Sequence, residues 1–190
     1  MSETTIPVRR ALIPCAGRGT RMRPISELLP KELVPLGTTP ALRFVVEEAW
    51  QAGLREVGIV HRAEKPLLER YLRDLEASGE LAGIHFTFVE QPEPRGLAEA
   101  IACARGFLED EPFALLLPDN WLPSPDYRLG DLLTLHQRTA ADVIGVLELD
   151  HRHSGRFGNC GRIDSDPDDG AGDLSDRALH LRRLEGKGEG

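Results

Sequence analysis

A polyphosphate asks a protein for backbone N–H donors and fixed cations, and residues 16–35 concentrate both. Gly17 and Gly19 follow the apolar run Ala11-Leu12-Ile13-Pro14, and Arg18, Arg21, Arg23 and Lys31 crowd the same stretch. Glu27 is the only acid between residues 9 and 31. Glycines carry no Cβ, so their backbone can approach a ligand closely and turn through positive φ. A glycine-rich turn leaving a strand suits a phosphate chain; the alternative is a basic surface loop that happens to hold glycines. A second chemical position is Asp119, at the exit of Leu115-Leu116-Leu117-Pro118. A carboxylate there is costly unless a cation or solvent meets it. A hard ion such as Mg²⁺ prefers a carboxylate plus phosphate oxygens, whereas an ordinary turn-capping aspartate is the plainer reading. Third is Gln91, in Gln91-Pro92-Glu93-Pro94-Arg95-Gly96-Leu97-Ala98. Its amide both donates and accepts, so it can pair with the edge of a uracil or thymine ring; a plain β–α turn is again the alternative.

The common phosphate-loop templates do not fit. No Gly-x-x-x-x-Gly-Lys-Ser/Thr run occurs, and a Gly-x-Gly-x-x-Gly fingerprint fails where Met22 replaces the third glycine. No His-x-Gly-His signature occurs either. What matches is Gly-x-Gly-Thr-Arg-x-x-Pro, from Gly17 to Pro24, followed by Pro-Lys-Glu-x-x-Pro, from Pro30 to Pro35. This pattern resembles the sugar-1-phosphate nucleotidyltransferases, also called nucleotide-sugar pyrophosphorylases. With Met22, Leu33 and Val45-Val46-Glu47-Glu48-Ala49 it looks most like the bacterial UTP–glucose-1-phosphate uridylyltransferases. The Gln91 segment, in contrast, looks closer to the thymidylyltransferase branch.

The resemblance implies roles for particular residues. Arg21 and Lys31 become the polyphosphate grips, Arg as a fork and Lys as a point charge. Ala16, Gly17, Gly19 and Thr20 line the nucleotide, Gln91 faces the base and Gly96 lies close to it. Asp119 becomes the Mg²⁺ ligand, and Glu32 is compatible with orienting Lys31. Gly158, after Phe157, resembles a backbone contact to the sugar. Glu185 and Lys187 resemble a Glu-Lys element holding sugar hydroxyls and phosphate, with Gly186 breaking the usual adjacency; a polar tail is the alternative. The implied activity transfers a uridylyl group from UTP to glucose 1-phosphate and releases pyrophosphate. A thymidylyltransferase, another pyrophosphorylase, or a nucleotide-binding module without turnover are the other readings. The similarity runs over residues 8–187. Family members continue past the Glu-Lys element, so residues 1–190 are expected to be one domain that is incomplete at its C-terminus.

The elements that must position these residues alternate. Val8 to Pro14, Glu56 to His61, Ile84 to Val89, Phe113 to Leu117 and Asp142 to Leu149 read as strands. Residues 40–52, 64–77, 97–108 and Leu129 to Thr139 carry apolar residues at helical spacing. Leu67 and Leu97 fall on the inward faces of their helices, and Phe113–Leu117 reads as a strand buried on both sides. The succession predicts a largely parallel sheet wrapped by helices, and the resemblance implies an α/β, Rossmann-like three-layer α/β/α (glycosyltransferase-A-like) fold with a mostly parallel central sheet. Ligands in such sheets sit beyond the carboxyl ends of the strands, which puts the glycine-rich loop and Asp119 on one edge.

Composition narrows the partners. The formal charge is −8 and 41% of residues are hydrophobic, enough for a sizeable core. That balance argues against nucleic acid or an anionic membrane as a partner; the resemblance implies a nucleoside triphosphate and a sugar 1-phosphate as partners and allows for a homo-oligomer. Cys15, Cys103 and Cys160 form no Cys-x-x-Cys, which suits a reducing cytoplasm. Residues 164–176 hold six aspartates with Gly and Pro and read as a flexible acidic loop. Their spacing fails as a calcium loop, with no glycine at the sixth position and no glutamate at the twelfth.

Overall fold

Arg10–Pro14 (β1) is buried at Ala11, Leu12 and Ile13, and consecutive side chains of a strand point to opposite faces, so both faces of β1 must be covered. The computed structural model describes residues 6–119, 128–146, 159–162 and 181–185. After β1 come a short helix Ile25–Leu28 (α1), the small antiparallel pair Pro35–Leu36 (β2) and Thr39–Pro40 (β3), and helix Ala41–Gln51 (α2). Strand Glu56–His61 (β4), helix Pro66–Ser78 (α3) and strand His85–Glu90 (β5) follow, then Leu97–Cys103 (α4), Arg105–Leu108 (α5), Phe113–Leu115 (β6) and Leu129–Thr139 (α6).

The strands form a parallel sheet in the order β5-β4-β1-β6. Register pairs Ala11 with Val57 and with Ala114, and Val57 with Phe86. From β1 the chain winds outward through β4 to β5, then crosses back to lay β6 on the other side of β1. The reversal of winding falls between β1 and β6, where the loops at the strand carboxyl ends diverge and leave a crevice.

Two apolar clusters clothe the sheet. On one face Ala11, Ile13, Val57, Ile59 and Phe86 meet Leu42, Val45, Val46 and Ala49 of α2, Leu68, Leu72 and Leu75 of α3, and Leu129 of α6. On the other, Leu12 and Val60 meet Ala100 of α4, Ala104, and Leu108 of α5. This is the expected three-layer arrangement. Gly58 carries the closest approach: a Cβ there would lie 2.6 Å from Phe107 Cε1 and 3.0 Å from Leu12 Cδ1. α3 opens on Pro66 at its first turn and stops at Gly79, which is left-handed with φ of 70°.

Several expectations need correction. The helix expected over 97–108 breaks at Ala104, where the chain redirects to seat Phe107 against Gly58. β6 stops at Leu115, which is 38% exposed, so this strand is not buried on both sides. Leu67 and Leu97 lie in the first turns of their helices and are exposed rather than inward. The described part of 142–149, residues 142–146, holds no strand.

Contacts divide the chain into Met1–Asp142 and Val143–Gly190. Within the second unit the described residues are 143–146 and the antiparallel pair Asn159–Arg162 (β7) and Leu181–Glu185 (β8), with Asn159 opposite Glu185 and a register shift between Gly161 and Arg162. Among the described residues no helix is long and apolar enough to cross a membrane.

Candidate functional site

The glycine-rich loop is built outward from β1. Cys15 N–H donates to Val60 O at 2.6 Å, so β1 and β4 stay joined one residue past Pro14. The next carbonyls turn toward Lys65, just ahead of α3. Its Nζ donates to Cys15 O at 2.5 Å, Gly17 O at 2.8 Å, and Glu32 Oε2 and Oε1 at 2.9 and 3.0 Å. The Glu32 side chain is 0% exposed and that of Lys65 12%. A trans peptide directs its C=O and N–H oppositely. With the carbonyls of residues 15 and 17 drawn onto Lys65, the N–H groups of Ala16 and Arg18 point away from it. Oriented N–H groups of this kind are what an anion needs. Burial pushes the Cys15 thiol well up, with the Glu32 carboxylate adding to the effect.

Lys31 and Glu32 share the single 3₁₀ turn Lys31–Leu33. At three residues per turn, neighbours diverge. Glu32 and Leu33 go inward, while Lys31 reaches Asp119, with Nζ 2.9 Å from Oδ2. Glu32 therefore orients Lys65, and through it the loop carbonyls, not Lys31 as expected. The Lys31 stem runs beneath the glycines. A Cβ on Gly17 would sit 3.7 Å from Lys31 Cε; one on Gly19 would sit 3.3 Å from Lys31 Cβ and 3.2 Å from Ser26 Cβ. Gly19 also has φ of 64°, a left-handed conformation that side chains resist.

Gln91 leaves β5 with its N–H on His61 O at 2.8 Å, and its side chain is buried. The amide Nε2 donates to Glu99 Oε2 at 3.0 Å and to Gly96 O at 3.3 Å. The same Glu99 oxygen accepts Arg95 N–H at 3.0 Å. Gly96 takes φ of 117° and opens α4. Between this turn and the glycine-rich loop lies a cleft of about 650 Å³, lined by Gly17, Arg18 and Thr20 on one side and Glu93, Pro94 and Arg95 on the other.

The structure thus brings Ala16, Gly17, Gly19, Thr20, Lys31 and Asp119 to the strand carboxyl ends beside β1 and β6; across the cleft stands the turn Glu93–Arg95, flanked in sequence by the buried Gln91 and by Gly96. Arg21 is exposed in the 3₁₀ turn Thr20–Met22 and has no acidic partner among the described residues. Glu185 ends β8; Gly158, Lys187 and the acidic segment 164–176 lie outside the described residues. Lys65 and Glu99 were missed. Lys65 carried one signal: a cation ahead of Pro66 opposes the positive end of the helix dipole and needs an anion.

Comparison with known proteins agrees with this geometry. A family model described as Nucleotidyl transferase matches residues 10–166. The chain is 35% identical over 170 residues to the UTP–glucose-1-phosphate uridylyltransferase of Bacillus subtilis strain 168, the match covering 80% of this chain and 58% of the relative. It is likewise 35% identical over 170 residues to UTP–glucose-1-phosphate uridylyltransferase 2 of Staphylococcus saprophyticus, with the same coverage of 80% and 58%. Among solved structures, a UDP-glucose pyrophosphorylase complexed with UDP-glucose superposes with a TM-score of 0.81 at 25% identity, covering 95% of this chain and 69% of that one. The UDP-glucose pyrophosphorylase of Acinetobacter baumannii gives 0.79 at 25% identity, covering 95% and 68%. The chain spans 58% of the length of the curated relatives it matches.

Proposed function

Because the chain belongs to the nucleotidyl transferase family, we propose that it takes part in transferring a uridylyl group from UTP to glucose 1-phosphate, giving UDP-glucose and pyrophosphate. The observation that carries this is the meeting of Lys31 and Asp119 at 2.9 Å beside the glycine-rich loop, where the sheet reverses its winding. The names of the relatives support the choice of base and sugar.

In the proposed reaction a sugar-phosphate oxygen bonds to the α-phosphorus as the α–β bridging bond breaks, and that electron pair leaves with pyrophosphate. Such chemistry needs little covalent help and much positioning and positive charge. The N–H groups of Ala16 and Arg18, turned away from Lys65, with Gly17, Gly19 and Thr20, cradle the nucleotide. Lys31 neutralises the reacting phosphates and Arg21 the departing pyrophosphate. Gln91 and Gly96 hold the base. Gly158, Glu185 and Lys187 remain the candidates for the sugar.

The donors suit a hard divalent ion such as Mg²⁺. Asp119 offers oxygen, and an ion shared with substrate phosphates needs only one or two carboxylates from the protein. Asp119 would hold the ion, which when bound supplies further neutralisation of phosphate charge. A cytoplasmic setting belongs to the same proposal.

Pyrophosphate release from UTP, glucose 1-phosphate and Mg²⁺ tests the reading. Lys31→Ala and Asp119→Ala should each lower kcat by about 10²–10³, as loss of one electrostatic stabiliser does. Turnover that survives either change would overturn these roles.

A further inference from the structure

We infer that Glu99 is a positioning residue that sets which base is accepted, by holding Gln91 as an acceptor only. This rests on the reading of Gln91 as the base contact. A free glutamine amide offers a donor end and an acceptor end and can swing to suit either kind of base edge. Here it cannot. Nε2 spends its hydrogens on Glu99 Oε2 at 3.0 Å and Gly96 O at 3.3 Å. Both partners are acceptors only, so turning the amide over would set oxygen against oxygen twice. Glu99 is itself held, since the oxygen that takes Gln91 also takes Arg95 N–H at 3.0 Å. Only Gln91 Oε1 is left for a ligand, and at 2% exposure the residue has almost no water to fall back on.

The Watson–Crick edge of uracil or thymine holds one donor, N3–H, between two carbonyl oxygens. Oε1 meets that donor. Cytosine presents an unprotonated N3 at the same place, which sets two lone pairs face to face in a nearly dry site. Gln91 thereby reads N3–H and makes no bond to O4; uracil and thymine are admitted alike by this contact and cytosine is refused.

Calorimetric titration of the 190-residue chain with UTP, dTTP and CTP tests this without needing turnover. Wild type should bind CTP about 10–100-fold more weakly than UTP, the effect of a buried acceptor facing an acceptor. Glu99→Ala frees the amide to present Nε2 to cytosine, so the UTP/CTP ratio should collapse toward one. Glu99→Gln should keep the ratio, because the Arg95 N–H fixes one oxygen at that position and one oxygen suffices. If Glu99→Ala does not fold, wild type and Glu99→Gln still decide the matter: discrimination must be present in the first and retained in the second. UTP and CTP bound equally by wild type, or weakened equally by Glu99→Ala with the ratio unchanged, would overturn the inference and leave the nucleotide site standing. No binding of any of the three would overturn the site and this inference together.

Discussion

Replacing Lys65 by methionine isolates the ammonium that organises the glycine-rich loop. Methionine keeps most of the aliphatic stem and removes the charge. Glu32, with its side chain fully buried, then loses its cation, and the carbonyls of Cys15 and Gly17 lose a shared donor. An ion pair on the surface is worth about 0–1 kcal/mol. Stranding a buried partner costs about 3–5 kcal/mol, because the remaining charge keeps its desolvation penalty without its attraction. At about 2–4 °C per kcal/mol for a chain of this size, the melting temperature should fall by about 6–20 °C. Urea unfolding followed by far-UV circular dichroism measures the loss directly. The double variant Lys65→Met/Glu32→Met should recover most of it, since an apolar pair of similar volume has no charge to strand. A single-variant loss within the surface-pair range, or a double variant worse than the single, would refute the idea that a buried ion pair holds this loop.

Two further outcomes test the packing. Gly58→Ala places a methyl 2.6 Å from the Phe107 ring, and overpacking of this kind costs about 1–3 kcal/mol in denaturant unfolding. Combining it with Phe107→Ala should cost less than the sum of the single changes, and strict additivity would show that the ring is not the obstacle. Cys103 is exposed and Cys15 buried with its thiol pushed up by burial. Because Cys15 is buried and its thiol is held protonated, iodoacetamide should label the exposed Cys103 and leave Cys15 unmodified until the chain unfolds. Peptide mapping that finds both labelled at equal rates would contradict that environment.

How far the fold can be read from sequence depends on whether the signal is local. The strand Glu56–His61 and helix Leu129–Thr139 coincide with the spans expected from apolar spacing, and the helix in 64–77 with Pro66–Ser78 within two residues, because each buries a face its own sequence marks. The break at Ala104 is not local. It accompanies the close approach of Phe107 to Gly58, 49 positions earlier in the chain. Residues 142–146, the described part of the span Asp142–Leu149, form no strand although the span has the alternation of one, because alternation alone does not supply the neighbour a strand must pair with. The same division governs the site. Gly17, Gly19 and Asp119 announce themselves by type and by following strands, and Lys31 by its place in the Pro-Lys-Glu run. Lys65 and Glu99 act by reaching other segments' carbonyls and amides. Neither sits in a motif, and only the folded chain shows that Glu32 faces Lys65 and that the Gln91 amide is already engaged.

The short 3₁₀ turn at Lys31–Leu33 sets a rule about length rather than chemistry. Each step along it rotates the side chain by about 120°, so residue identity and bearing are tied to the count of residues before it. Deleting a single residue between Gly19 and Lys31 would bring the carboxylate to the outward position that faces Asp119, and adding one would bring the ammonium to the dry position of Glu32. Substitutions along this stretch can be absorbed one at a time, but insertions and deletions cannot. Within descendants of this chain the spacing from the glycines to the Lys-Glu pair should drift far less than the side chains between them.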